Sequence, residues 1–266
     1  MNKIQVIMVQ KPIVNPVKFI ANSTRLTFKT TSNFKDDISY EEASNFDKSI
    51  VQNLVKADHS PLEHCSYSFL VLGASRSFLA QVRTHRLVSF TSASQHYSNW
   101  ENADYEIPIE VFEKCEEINS TEPIRQFLKT YQDAQKAYLD LQKNFGLDHS
   151  VTRQVTCQGM RNNLLITANI RQWLTMLGRR ECGRNTSEIA YVSWLIRKQL
   201  VEDCPDIFAI AGPPCNRYGR CSEGKLCCGH PWKDGINPDE QRWENVIPLG
   251  NKWLDRYNAE ELINNN

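Results

Sequence analysis

Apolar positions along the chain alternate in some stretches and recur every three to four residues in others, and each pattern predicts an element. Ile4 to Val9 reads as a strand. Between Glu41 and Ala57, Phe46, Ile50, Leu54 and Val55 fall at helical spacing. Cys65 to Leu72 alternates and is rich in β-formers, which predicts a strand ending at Gly73. Ser75 is placed to cap a helix carrying Phe78, Leu79 and Val82. Residues 88–108 are polar and turn-rich and read as a structured loop. Thr121 to Gly146 is a long helix opened by Thr-Glu-Pro and closed by its glycine. Asn162 to Thr167 is a short apolar strand feeding a helix from Asn169 to Arg179. Asn185 to Val201 sets Ile189, Val192, Ile196 and Leu200 on one helical face. Beyond Asp206 the texture turns to Pro, Gly and Cys, and Asn264 to Asn266 read as frayed. The expected architecture is one α+β domain over residues 1–206 with an irregular, Cys-rich extension over 207–266 packed on it.

The chain has 266 residues, enough for one sizeable core. Its 31 basic and 31 acidic residues cancel, so no global field recruits nucleic acid or an anionic membrane. Any anion site must be local, and the basic residues between 76 and 86 and between 171 and 184 supply two candidates. No apolar run approaches the roughly 18 residues of a spanning helix. The N-terminus lacks a secretory layout, and nine cysteines cannot all pair within one chain. Both suggest a reducing cytoplasm, where the Asn-Ser-Thr and Asn-Thr-Ser triplets are chance matches to a glycosylation pattern.

Candidate chemistry concentrates between Gln81 and Tyr97, where guanidinium, imidazole and hydroxyl groups share one short segment. Cations with convergent hydroxyls suit a phosphate-bearing ligand such as a nucleotide. A second concentration is Cys215, Cys221, Cys227, Cys228 and His230, enough soft ligands for a tetrahedral zinc, although the spacing is looser than in ordinary zinc ribbons. Reduced thiols without metal are the other reading.

Three segments together resemble the flavin-dependent thymidylate synthases. His59-Ser-Pro-Leu-Glu-His64 leading into Cys-Ser-Tyr-Ser-Phe69 resembles the family's Pro-x-Glu-His before a strand. Thr84-His-Arg86, seven residues and then Ser94-Gln-His-Tyr97 resembles Arg-His-Arg, seven residues, Ser-Gln-Arg-Tyr. Asn162-Asn-Leu-Leu-Ile-Thr-Ala-Asn-Ile-Arg171, followed by Arg180 and Glu188-Ile189, is similar to the third family pattern. The resemblance covers residues 20–205 and implies a homotetramer with shared active sites, each protomer holding a mixed sheet and long helices. It implies FAD as cofactor, NADPH as reductant and methylenetetrahydrofolate as one-carbon donor to carbon-5 of dUMP, giving dTMP.

By the same resemblance Arg180 is the catalytic candidate. A guanidinium against the pyrimidine stabilises its anionic form and pushes electron density towards carbon-5. Nucleotide binding falls to Gln81, Arg83, Thr84, Ser92, Ser94, Gln95, His96, Arg153 and Arg180. Flavin contacts fall to His64, Ser66, Thr84, His85, Arg86, Ser92, Asn169, Ile170, Arg171 and Thr175, the run at 169–171 lying at a helix start where backbone N–H groups favour phosphate. Ser94 is read as a hydrogen-bonding residue rather than a nucleophile.

The chain departs from the pattern around the nucleotide. Thr84 replaces the first arginine of Arg-His-Arg, His96 replaces the arginine of Ser-Gln-Arg-Tyr, and Ser92, Thr156-Cys157 and Arg184 also differ. These changes raise the alternative of a different pyrimidine nucleotide or a hydroxymethyl product. Two further readings are a flavoprotein oxidase without methyl transfer, and a zinc-containing nucleic-acid-binding module. Against the latter stand zero net charge and the core-like Trp173, Leu174 and Leu177 in the basic stretch.

Overall fold

The structure is a computed structural model that describes residues 3–28 and 42–264. Four strands form one sheet in the order β1-β2-β4-β3: β1 (Gln5–Gln10), β2 (Ser66–Ser75), β3 (Ser89–Ser92) and β4 (Arg161–Asn169). All three pairings are antiparallel, so the expected mixed sheet is corrected. Registration of β2 on β4 sets Tyr67, Phe69 and Val71 opposite Ala168, Ile166 and Leu164, and all six are buried. Period-two alternation places them on the one face that the helices cover.

The helices in chain order are α1 (Pro16–Arg25), α2 (Asn45–Ala57), α3 (Arg76–Val82), α4 (Ile109–Ile118), α5 (Glu122–Lys143), the single turn α6 (His149–Thr152), α7 (Ile170–Arg180) and α8 (Ser187–Asp203). Short turns α9 (Pro205–Phe208), α10 (Pro214–Arg217) and α11 (Glu240–Glu244) lead to α12 (Val246–Asn264). Trp173 of α7 anchors helix to sheet: its indole N–H donates to the Tyr67 carbonyl at 3.1 Å and its ring meets Phe69 edge-on. Among the described residues no helix is long and apolar enough to cross a membrane.

Several expectations need adjusting. The strand from Cys65 does not stop at Gly73; it runs on to Ser75 through a bulge between Val71 and Ala74. Gly73 sits there at φ +74°, with its N–H given to the Asn163 side chain, a glycine inside a strand pattern that marks a bulge rather than an end. The expected loop 88–108 contains β3, because Ser-Phe-Thr-Ser alternates and finds the free edge of β4. Helix α1, opened by Asn15 and Pro16, was not anticipated, nor was α4. Residue Glu41, where the second helix was expected to begin, lies outside the described residues, as do Asn265 and Asn266; the described helix begins at Asn45 under a Ser44–Asp47 capping box.

The extension is less irregular than its composition implies. Its last 19 described residues are α12, which buries Trp253 and Tyr257 against α4 and α5. The Trp253 indole donates to Glu116, and Arg242 of α11 pairs with Glu113 at 2.6 Å.

Candidate active site

Helix α3 is pinned at both ends. At its start Ser75 accepts the Phe78 N–H at 3.0 Å, while the Ser75 N–H and hydroxyl both donate to Glu188 of α8. At its end Arg180, the last residue of α7, donates through Nη2 to the Gln81 carbonyl at 2.9 Å and to the Thr84 hydroxyl at 2.7 Å. Its Nε donates to Nε2 of His85 at 2.9 Å. A helix end leaves carbonyls unpaired and carries partial negative charge, so a guanidinium is well matched to it. Among the described residues Nη1 of Arg180 takes no partner.

His85 is buried, and burial together with the Arg180 and Arg179 charges pushes its pKa down to about 4. It is therefore neutral near pH 7, with Nε2 the acceptor and the proton on Nδ1. Because the unfolded imidazole titrates near 6.5, the unfolded chain takes up the proton first as pH falls. The stability tied to neutral His85 is complete above pH 6.5 and is lost as pH drops towards about 4. Denaturant midpoints measured across that window should fall more steeply for the wild type than for His85→Gln; equal slopes would remove His85 from the account.

The other nucleotide candidates gather beside this corner. Arg83 donates to the Ser92 hydroxyl. The Asn162 side chain donates to the Ala93 carbonyl at 3.2 Å, and buried Gln95 donates to the Thr156 hydroxyl at 3.4 Å. These two contacts tie the loop carrying Ser94 to the segment carrying Arg153. Ser94 accepts the His96 N–H at 3.1 Å, with no base on its hydroxyl. His96 is exposed, edge-on to Tyr97, and its carbonyl meets the His149 ring at 2.6 Å.

A second group lies at the opposite end of α7. Ser66 faces Asn169 across the β2–β4 ladder, Asn169 caps α7 by accepting the Gln172 N–H at 2.9 Å, and Thr175 bonds back to the Arg171 carbonyl. Two expected features are altered there. The Ile170 N–H is already given to the Cys65 carbonyl and its side chain is core, and Arg171 pairs with Glu63 at 2.6 Å and Asp58 at 3.4 Å. His64 is exposed beside Phe19. Arg171 and Arg180 stand nine helical steps apart, roughly 13 Å, so one protomer does not bring the two groups together.

Among the described residues Arg76, Arg86, Arg153 and Arg179 make no ion pair, and the pKa of Arg76 is depressed first by burial and then by the nearby Arg83 and Arg153 charges. Like charges held together without carboxylates suit a polyanion. Sequence reasoning marked the 76–86 stretch as basic but did not single out Arg76 or Arg179.

The chain matches the family described as "Thymidylate synthase complementing protein" over residues 10–206. The chain belongs to this family. Proteins called flavin-dependent thymidylate synthase are similar to it: one from Clostridium tetani is 27% identical over 81% of this chain and 89% of its own length. Another from Nitratidesulfovibrio vulgaris is 29% identical over 67% and 74%, and one from Pyrococcus abyssi 30% over 63% and 69%. Family membership displaces the nucleic-acid-binding reading, and Trp173, Leu174 and Leu177 are indeed core.

Within this thymidylate synthase complementing family member, the unpaired cations and the neutral His85 fit a ligand bearing phosphates and a flat heterocycle. All nine cysteines are unpaired. Among the described residues no group of three or more His, Cys, Asp or Glu side chains already stands as a metal centre.

Proposed function

We propose that the protein makes dTMP from dUMP, using FAD, NADPH and methylenetetrahydrofolate. The observation that carries the reading is Arg180, held by Gln81, Thr84 and His85 with one guanidinium nitrogen left over among the described residues, beside cations that make no ion pair with any described carboxylate. A bound flavin supplies hydride transfer. The protein's own task is to bind and orient the uracil nucleotide. Arg180 Nη1 is the donor for the pyrimidine anion, and Arg76 and Arg153, with Arg83 beside them, neutralise phosphate. Neutral His85 fixes the guanidinium plane and keeps its own proton on Nδ1. Thr84 contributes a hydroxyl where the family pattern has the first arginine of Arg-His-Arg, and Arg76 supplies the replacement charge. His64, Ser66, Arg86, Asn169, Arg171 and Thr175 are proposed flavin contacts, reached from the Arg180 corner of another protomer, while Ile170, with N–H and side chain both engaged, packs beneath them.

Assembly into a homotetramer is supported by the sheet's outer face. There Ile7, Leu70, Leu165 and Thr91 stand in register across all four strands, and Ile7, Val9 and Leu165 are exposed. An apolar stripe of this kind marks an interface. We place residues 1–206 in the catalytic domain and 207–266 in an extension packed on it, in a cytoplasmic enzyme.

The test is product identification: dUMP, methylenetetrahydrofolate, NADPH and FAD should yield dTMP by mass spectrometry. A hydroxymethyl product, or turnover only with dCMP or UMP, would replace the assignment. Arg153→Ala should weaken dUMP binding about 10- to 100-fold, the scale of one charge-assisted phosphate contact. Its unfolding midpoint should stay unchanged, since no partner is lost. Calorimetric titration checks the first claim and thermal denaturation the second.

A further inference from the structure

Behind the Arg180 corner, on the far side of the α7 C-terminus, lies a cavity of about 400 Å³. Five thiols line it: Cys182 from the catalytic domain, and Cys215, Cys221, Cys227 and Cys228 from the extension. Four of the five sulfurs accept a backbone N–H. Cys182 takes that of Arg184, Cys215 that of Trp232 at 3.4 Å, Cys221 that of Glu223 at 3.5 Å, and Cys227 that of Gly229 at 3.5 Å. Three of these are the same turn, in which the donor stands two residues after the cysteine. Amide donors aimed at sulfur orient each sulfur before a metal arrives. A group of buried or reactive thiols has no need of that repeated geometry.

The surroundings agree. Arg179, Arg184 and Glu223 also line the cavity; Arg184 is paired with Glu223 at 2.8 Å, which leaves the Arg179 charge to offset part of the net negative charge of a tetrathiolate centre. The wall is rigid on one side, where Trp232 packs against Gly212 and over the Arg197 guanidinium at 4.9 Å. It is open on the other, where Cys221 and Cys227 are exposed in a loop of short turns.

We infer that this cavity is a structural site for a soft divalent cation of the zinc class, bound by Cys182, Cys215 and Cys228 with a fourth thiolate from the Cys221/Cys227 pair. The sulfurs surround the space without yet standing at ligand spacing, so binding draws the 215–228 loop inward, and thiol protons leave as the metal enters. The centre clamps the extension to the end of α7 that carries Arg180. It stands on the thiol geometry alone and is independent of the reaction assigned to the protein.

Protein purified without chelator and equilibrated in zinc-buffered solution should carry about one zinc per chain by elemental mass spectrometry. Cobalt exchanged into the same protein should show a sulfur-to-cobalt charge-transfer band, a readout that needs neither activity nor a variant. Cys182→Ser should reduce bound metal at least about tenfold. Cys221→Ser/Cys227→Ser, altered only at the exposed rim, should do likewise without unfolding the chain. Nine freely titrating thiols with less than about one-tenth of a metal per chain would overturn the inference. So would a Cys221–Cys227 disulfide found by peptide mapping, or a cobalt spectrum lacking the sulfur band.

Discussion

Arg180→Lys is expected to lower the single-turnover rate of dTMP formation about 100- to 1000-fold, the usual loss when one preorganised charge-stabilising donor is removed. Arginine spans three protein acceptors, the Gln81 carbonyl, Thr84 Oγ1 and His85 Nε2, and still offers Nη1 to a ligand. A lysine ammonium is a compact charge whose donors radiate from one atom, so it cannot hold that fork and face the pyrimidine together. Both kcat and kcat/KM should fall, while the Kd for dUMP moves far less, because the interaction is proposed to strengthen as negative charge develops on the ring. A variant retaining more than about one-tenth of the rate would remove Arg180 from the chemical step.

The largest stability effect is expected at Glu181→Ala. Glu181 is fully enclosed and accepts Arg197 Nε at 2.9 Å; burial lifts the carboxyl pKa, opposed by the Arg197 charge. Its second oxygen is buried without a partner. Deleting the carboxylate strands a buried guanidinium beneath Trp232, which costs about 3–5 kcal/mol. For a chain of this size that is roughly a 10 °C fall in the thermal midpoint. Glu181→Leu/Arg197→Met, which removes both charges, should recover most of the loss. If the double variant melts as low as the single one, shape rather than an orphaned charge is what Glu181 provides.

Local order was legible where a side chain speaks for its own neighbourhood. Ser75 announced a cap and became one, and the faces of α7 and α8 were drawn by apolar spacing. Strand β3 was missed because four alternating residues mean little until β4 offers an edge. Gly73 reads as a terminus in the sequence because a bulge and a stop share the same residue. Helix α1 carries its own sequence signal, Asn15 followed by Pro16. Helix α12 has only a weak apolar stripe and owes its place to the burial of Trp253 and Tyr257 and to Glu116 on α4, which takes the Trp253 indole N–H and pairs with Lys252.

For the candidate site the division is sharper. Residue types and their intervals already specified the family pattern, the basic clusters and the thiol-rich tail, since these are properties of order along a chain. Which cations are free and which are paired could not be read that way: Arg171 looks as available as Arg153 until folding brings Glu63 and Asp58 against it. Nor could sequence show that Cys182 joins the four cysteines of the tail, or that Arg180 rests on a neutral histidine. Charge pairing, burial and convergence depend on distances between residues about a hundred positions apart, and only the tertiary structure sets those.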